Sequence, residues 1–196
     1  MAKREIERKG TFMKTKEALI ITGYRNYEIG VFQEKDTKIK VLKKVIRETL
    51  IPLIEDGITW IVIGGNLGVE LWAGEVVIDL KEEYPEIQLA ILFPFEGWGE
   101  NWKEANQTVL GKVKAGADYV NATSHQPYQN PSQLKNHTAF LLQKTAACLL
   151  IYDEEFKGKT EYFLKDARKF QERHAYQILQ ITMDDLENAI YFSDSI

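Results

Sequence analysis

The sequence has little cysteine, no long apolar segment and no excess of positive charge. Cys148 is its single cysteine, so an internal disulfide is excluded and a reducing compartment is expected. No segment approaches the roughly 20 apolar residues of a transmembrane helix, and the first residues have no apolar core of signal-peptide length. These absences predict a soluble, cytoplasmic protein without membrane contact.

The charge balance is mildly acidic, with 25 basic and 29 acidic residues and a formal net charge of −4. A protein that binds nucleic acid over its whole surface usually has a clear basic excess, so nucleic acid is not expected as a partner. Apolar patterning begins only at Ala18, shortly after a second methionine, Met13. We therefore expect residues 1–12 to be a flexible extension, Met13 to be a candidate native start, and residues 13–196 to form a single domain.

Short apolar runs alternate with longer segments of helical periodicity from Ala18 onwards. Near-continuous apolar runs of this length are typical of strands buried on both faces of a parallel sheet. The segments between them predict five helices, with Asp36, Ser132 and Thr160 as N-caps. This alternation predicts an α/β protein with a Rossmann-like, three-layer α/β/α fold and a mainly parallel sheet. The predicted strands are Ala18–Thr22, Trp60–Ile63, Ile87–Phe93, Tyr119–Ala122, Ala146–Tyr152 and Gln177–Thr182.

A glycine-rich segment, Gly64 to Gly68, joins the second predicted strand to the next predicted helix. Unpaired main-chain N–H groups and the helix dipole favour an anion at such a helix start, and glycines let a phosphate approach closely. A tight strand-to-helix turn without a ligand remains the alternative, because glycine-rich turns are common in α/β folds. The dinucleotide pattern G-x-G-x-x-G is absent, which argues against an NAD-dependent dehydrogenase, and the P-loop pattern is also missing.

Charged and aromatic residues follow the same strand ends. Arg25, just after the first strand, could pair bidentately with a phosphate, and its alternative is a surface ion pair with Glu28. Glu70 could bind a ribose hydroxyl or serve as an acid/base near a glycosidic carbon, and its alternative is to complement the helix dipole. Trp98, between two glycines, is a candidate to stack on a nucleobase, and Tyr24 is a second aromatic candidate for this role.

The histidines and the cysteine give weaker signals. His125 lies in a loop at the expected ligand edge and is a candidate ligand contact, whereas His174 continues an apolar helix stripe and is expected to be packed. His125 and His137 have no carboxylate or cysteine at metal-ligand spacing, so no metal site is expected. Cys148 lies in the middle of a predicted strand and is expected to be a buried, inert thiol.

Several of these loops together resemble the YpsA family of Gram-positive bacteria. That family belongs to the SLOG superfamily, whose members share a Rossmann-like fold with glycine-rich loops after the first strands. The superfamily includes the DNA-processing protein DprA, the cytokinin-activating LOG phosphoribohydrolases and proposed sensors of nucleotides or ADP-ribose. The resemblance extends from about Met13 to the C-terminus and implies nucleotide-type ligand binding. It rests on Ile21 to Arg25, Gly64 to Ala73, Asn101 to Glu104, His125 to Tyr128 and Ile181 to Leu186.

One loop departs from the pattern of the LOG-type enzymes. These enzymes have Pro-Gly-Gly-x-Gly-Thr after a late strand, with a glutamate shortly afterwards. Here residues 153–161 follow the fifth predicted strand, and only Gly158 and Thr160 match that motif. The difference weakens the enzymatic interpretation more than the binding interpretation.

The leading hypothesis is a sensor or regulatory protein that binds a small nucleotide such as NAD or ADP-ribose. One alternative is a LOG-like N-glycosidic phosphoribohydrolase, in which Glu70 would be the catalytic acid/base. Another is a protein-interaction module that uses the aromatic loops 95–102 and 125–128. The resemblance also suggests a homodimer and a connection with cell division. The candidate ligand-binding residues are Gly23, Tyr24, Arg25, Gly64, Gly65, Asn66, Gly68, Glu70, Trp98, His125, Gly158 and Thr160.

Overall fold

Within residues 15–193, which the computed structural model describes, six β-strands form one parallel sheet. They are β1 (Ala18–Gly23), β2 (Trp60–Ile63), β3 (Gln88–Phe93), β4 (Tyr119–Ala122), β5 (Ala147–Ile151) and β6 (Gln177–Ile181). Their order across the sheet is β4-β3-β2-β1-β5-β6, and every neighbouring pair is parallel. The expected extension of residues 1–12 lies outside the described residues.

The same part of the chain contains six α-helices and two short 3-10 helices, Thr15–Glu17 and Asn26–Ile29. The α-helices are α1 (Thr37–Glu55), α2 (Val69–Leu80), α3 (Glu104–Gly116), α4 (Ser132–Lys144), α5 (Thr160–Gln171) and α6 (Met183–Ser193). α6, α1, α2 and α3 pack side by side in that order, while α4 packs against α5. Right-handed crossovers place these two groups on opposite faces of the sheet. The α/β fold with a Rossmann-like three-layer arrangement is therefore confirmed.

The helix starts bear out one of the three predicted N-caps. Asp36 caps α1, because its Oδ1 accepts a hydrogen bond from the Lys38 N–H at 2.9 Å. The prediction for α4 is wrong: the Asn130 side chain accepts the Ser132 N–H at 2.9 Å and takes the capping role. The prediction for α5 is also wrong, because the helix begins at Thr160 itself and the Thr160 hydroxyl has no partner among the described residues.

The sixth helix, α6, is absent from the sequence prediction. It begins with a capping box in which the Thr182 N–H donates to Asp185 Oδ2 at 2.8 Å and the Asp185 N–H donates to Thr182 Oγ1 at 3.4 Å. This Thr-x-x-Asp pattern is readable in the sequence. The apolar stripe behind it is sparse, which is why periodicity alone does not reveal the helix.

The sequence predicts packed positions for Cys148 and His174, and only Cys148 has one in the structure. Cys148 is fully buried in β5, and burial raises the pKa of its thiol to about 12, so it stays a protonated thiol at neutral pH. His174 is exposed, so the expectation that it is packed is wrong. It lies beyond the end of α5 and stacks on the Phe170 ring, with the two centroids 3.9 Å apart.

The sheet topology determines where the loops meet. Parallel strands bring all their carboxyl ends to one edge, and the crossovers reverse direction between β1 and β5. In open α/β sheets, ligands bind at the carboxyl edge near this switch point. The loops after β1, β2 and β5 are therefore the ones that position a ligand. Among residues 15–193, no helix has the length and apolar character needed to span a lipid bilayer.

Candidate functional site

The buried carboxylate of Glu70 lies at the centre of the candidate site. Glu70 belongs to the first turn of α2, and only 3% of it is exposed. Its Oε1 accepts hydrogen bonds from the Thr22 hydroxyl at 2.7 Å and from the Asn66 side-chain amide at 3.0 Å. Its Oε2 accepts the Asn66 main-chain N–H at 2.9 Å. These three donors compensate the burial of a charged group and tie the end of β1 to the glycine turn after β2.

The Arg25 guanidinium faces the same carboxylate. Its Nη1 lies 3.9 Å from Glu70 Oε1 and donates to the Gly23 carbonyl at 2.9 Å. In the described part of the chain, Nε and Nη2 of Arg25 meet no acceptor, so they remain available as donors to a ligand. The alternative ion pair with Glu28 is not formed by the guanidinium. Glu28 instead accepts the Arg25 main-chain N–H at 2.6 Å.

The glycine turn is packed tightly against the loop after β1. Gly68 has a φ of 95°, and a Cβ on it would lie 2.5 Å from the main-chain nitrogen of Asn26. Gly65 has a φ of 79°, and a Cβ there would clash with the Phe93 ring. Local packing and the left-handed backbone therefore account for both glycines, whether or not a phosphate binds.

The first amides of α2 differ in whether they have an acceptor. The Val69 N–H donates to the Tyr24 carbonyl at 3.1 Å. The N–H groups of Glu70 and Leu71 have no acceptor within residues 15–193. These two are the amides that could bind an anion at this helix N-terminus.

His137 reaches the site from α4, a position that the sequence does not predict. It is 8% exposed, and its Nδ1 lies 3.2 Å from the Thr123 hydroxyl oxygen. Burial lowers the pKa of His137 to about 4, against a smaller opposing effect of the Glu70 charge, so the ring is neutral at pH 7. A Cβ on Gly64 would lie 3.2 Å from His137 Nε2 and 3.1 Å from Glu70 Oε2, so both atoms face the same glycine.

An aromatic cluster lies beside the glycine turn. The Trp98 indole N–H donates to the Gly65 carbonyl at 3.1 Å, and its ring centroid lies 5.0 Å from that of Phe95 and 6.0 Å from that of Trp102. Tyr128 adds to the cluster at 5.1 Å from Phe95. Trp98 is therefore fixed at the edge of the candidate site by a hydrogen bond.

His125 lies at the rim of the site, beyond this aromatic cluster. Its side chain is 70% exposed, and its Nδ1 lies 4.0 Å from Glu96 Oε1. The position leaves the ring open to solvent.

Tyr24 is a structural link between loops. It is 3% exposed, its hydroxyl accepts the Asp153 N–H at 3.0 Å, and it also contacts the carbonyls of Asp153 and Phe156. Burial raises the pKa of Tyr24. Its hydroxyl thus holds the loops after β1 and β5 together, and Tyr24 also lines a cavity on this side of the site.

The remaining predicted residues belong to the contact between the loops after β1 and β5. A Cβ on Gly23 would lie 2.6 Å from the Ile151 carbonyl oxygen, and one on Gly158 would lie 3.1 Å from Glu28 Oε1. Thr160 is 2% exposed. Gly158 and Thr160 thus lie on the Glu28 side of the loop after β1. The predicted residues therefore form two groups, one around Glu70 and one at the contact between the loops after β1 and β5.

Several cavities lie beside the site in the described part of the chain, and two of them are large enough to matter for a ligand. A cavity of about 630 Å³ lies between α1, α6 and the two joined loops, with Ile29, Leu42 and Met183 in its walls. A smaller cavity of about 240 Å³ lies next to the aromatic cluster and includes Trp98 and His125. Within the described residues, no group of three or more histidine, cysteine, aspartate or glutamate side chains could hold a metal ion.

The six-stranded parallel sheet and the glycine turn after β2 define a Rossmann-like α/β domain. The family model described as the YspA SLOG family matches residues 19–186. The chain belongs to this family, YpsA.

Relatives support this assignment over most of the chain. A UPF0398 protein of Enterococcus faecalis is 56% identical over 178 residues, which cover 91% of this chain and 99% of the relative. The UPF0398 protein YpsA of Bacillus subtilis is 43% identical over 170 residues, covering 87% and 94%.

A solved structure of DNA processing protein A from Helicobacter pylori shares the fold. Its TM-score is 0.52 at 16% identity, and the alignment covers 92% of this chain and 74% of that chain. The Helicobacter protein binds single-stranded DNA.

Proposed function

We propose that this protein binds a small nucleotide, of the ADP-ribose or NAD type, and acts as a sensor. The observation that carries the proposal is the pairing of Arg25 with the buried Glu70 at the start of α2. A guanidinium with unused donors and a fixed carboxylate offer opposite charges to different parts of one ligand. A nucleotide has an anionic phosphate and a ribose whose hydroxyls donate, so it matches both.

The phosphate would be bound by a few local donors. Arg25 supplies Nε and Nη2 in a planar arrangement that suits phosphate oxygens. The free amides of Glu70 and Leu71 add two donors at the helix N-terminus. With a formal net charge of −4, the protein as a whole offers no attraction to an anion, so these placed donors must supply the binding.

The hydrogen bonds around Glu70 favour binding over catalysis. Three donors already point at its two oxygens. A general acid would need a proton on one of these oxygens, and only one lone-pair position of the carboxylate is left for it. The carboxylate is therefore arranged as a hydrogen-bond acceptor, which suits a ribose hydroxyl.

Isothermal titration calorimetry with ADP-ribose, NAD, AMP and adenosine tests the proposal. Arg25→Gln is expected to weaken the three phosphate-bearing ligands by about tenfold or more and adenosine hardly at all, because the lost contact is to phosphate. Arg47 lies on α1 and forms an ion pair with Glu83, which follows α2. Arg47→Gln breaks this pair, is the matched control and should bind like the wild type. The proposal would be overturned if none of the four ligands binds with a Kd tighter than millimolar. Release of free base from AMP that Glu70→Gln abolishes would favour the hydrolase instead.

Single-stranded nucleic acid is the second ligand class that we propose to test. The acidic composition argues against nucleic acid as a ligand, but the fold is shared with the Helicobacter DNA processing protein, and this makes the argument weaker. A cavity of about 470 Å³ between α4 and α5 is lined by three basic residues, Lys135, Lys169 and Arg173, and by one carboxylate, Asp166. None of the three basic residues has an ion-pair partner within residues 15–193. Fluorescence anisotropy with a labelled oligodeoxynucleotide tests this. Binding that falls steeply with salt and is weakened by Lys169→Gln would support it.

A further inference from the structure

The tautomer of His137 follows from the hydrogen bonds of Thr123. The Thr123 hydroxyl lies 3.2 Å from the Phe93 carbonyl and 3.1 Å from the Pro94 carbonyl, and we assign its single proton to these two acceptors. Towards His137, 3.2 Å away, the same oxygen can then only accept. Nδ1 of the neutral ring therefore carries the proton, and Nε2 carries a lone pair.

The Glu70 carboxylate has one unused acceptor position, and it lies on the oxygen that faces Gly64, as His137 Nε2 does. The two oxygens of a carboxylate offer about four lone-pair positions, and three are used by Thr22 and Asn66. Oε1 accepts two hydrogen bonds and Oε2 one, so the unused position belongs to Oε2. Oε2 is also the carboxylate oxygen directed towards Gly64.

Gly64 keeps the space between these two acceptors open. Its backbone is outside the left-handed region, so no conformational reason demands glycine at this position. A Cβ would lie 3.1 Å from Glu70 Oε2 and 3.2 Å from His137 Nε2, which is closer than nearly all such contacts. A side chain at this position would push against both acceptors, and glycine leaves them in place.

We infer that His137 is a specificity-determining residue that, together with Glu70, binds the vicinal diol of a ribose. Two neighbouring acceptors match a group with two neighbouring donors. A phosphate is an acceptor and would be repelled by both, whereas the cis-hydroxyls of a ribose offer one donor to His137 Nε2 and one to Glu70 Oε2. This role rests on the nucleotide binding proposed above and adds a requirement to it: the ligand carries an intact ribose and not a deoxyribose.

Calorimetry with AMP, 2′-deoxy-AMP and 3′-deoxy-AMP tests the inference on the full chain. Wild type is expected to bind AMP at least about tenfold more tightly than either deoxy analogue, because each analogue leaves a buried acceptor unpaired. His137→Leu removes the acceptor and should bring the ratio for one analogue to about one, while binding of that analogue changes less than about twofold. His137→Gln, which can place an oxygen near the position of Nε2, should restore part of the ratio. The exposed His174→Gln, beyond the end of α5 and outside the site, is the control and should keep the wild-type ratio.

Nitrogen NMR of the wild type gives a readout that does not depend on the stability of a variant. The His137 Nε2 resonance should shift on addition of AMP and stay in place with the analogue that lacks the hydroxyl it binds. Equal affinity for AMP and both analogues, an unchanged ratio in His137→Leu, or an unmoved Nε2 resonance would each overturn the inference and leave nucleotide binding intact. Absence of binding by all three ligands would overturn the proposed function and this inference with it.

Discussion

The Glu28 carboxylate accepts a hydrogen bond from the Lys159 main-chain N–H at 2.7 Å, although the two residues are 131 positions apart in sequence. The other oxygen of the same carboxylate accepts the Arg25 N–H at 2.6 Å. One side chain therefore joins the loop after β1 to the start of α5, where the helix dipole favours a negative charge. The Glu28 carboxylate therefore bridges the two loops at the switch point between β1 and β5.

Glu28→Gln should loosen this junction. The amide has one acceptor oxygen for two main-chain donors, so one N–H loses its partner. We expect the free energy of unfolding to fall by about 1–2 kcal/mol and the Lys159 amide to exchange its hydrogen faster. Urea unfolding and hydrogen exchange measure the two effects. The exposed Glu34→Gln is the control, and equal urea midpoints for both variants would contradict a structural role for Glu28.

Two buried threonines should respond in opposite ways to replacement by valine. The Thr160 hydroxyl is buried without a partner among the described residues, so Thr160→Val removes an unpaired polar group and should leave the protein equally stable or slightly more stable. The Thr145 hydroxyl contacts the Leu141 carbonyl at 2.8 Å and the Tyr176 hydroxyl at 2.9 Å. Thr145→Val should therefore cost about 1–3 kcal/mol in unfolding free energy. Thermal and urea unfolding of the pair check this, and a similar loss in both would contradict it.

Replacing Gly68 and Gly111 by alanine should change the free energy of unfolding in opposite directions. Gly68→Ala forces an L-residue to a φ of 95° and brings its Cβ within 2.5 Å of the Asn26 nitrogen, so the loop after β1 must move. We expect a loss of about 2 kcal/mol or more in unfolding free energy. Gly111 lies in α3 with open space at its Cβ position, and Gly111→Ala should add about 0.5–1 kcal/mol. Unfolding curves that shift in the same direction would contradict the packing described for Gly68.

The fold was largely predictable because the four central strands, β1, β2, β3 and β5, are short apolar runs that are buried along nearly all of their length. The predicted and observed bounds of β3 differ by one residue, because the sequence predicts a start at Ile87 and the strand begins at Gln88. β2 and β4 have the predicted bounds. Burial of this kind is recorded directly in residue type, so periodicity is enough to locate the strands.

The site was only partly predictable, because its polar contacts are made between distant segments. Arg25 and Glu70 follow strand ends and could be predicted to lie near each other, whereas the contact between Tyr24 and Asp153 joins residues 129 positions apart. His137 was missed because the buried face of α4 contains Gln133 and His137, which a hydrophobic pattern treats as exposed. Gln133 is accommodated by hydrogen bonds from its side chain, such as the one to Ser124 Oγ at 2.8 Å, and these appear only in three dimensions.

His137 should make the protein less stable in mildly acidic solution. Burial lowers its pKa from 6.5 to about 4, so between these values the unfolded chain binds a proton that the native protein does not. The stabilisation is complete above the unfolded pKa and is lost as the pH falls towards about 4, by up to about 3 kcal/mol. Urea unfolding at about pH 7 and about pH 4.5 measures this for the wild type, for His137→Gln and for the exposed His125→Gln. The wild type and His125→Gln should lose stability in parallel, and His137→Gln should lose less. Three parallel losses would contradict a buried, neutral His137.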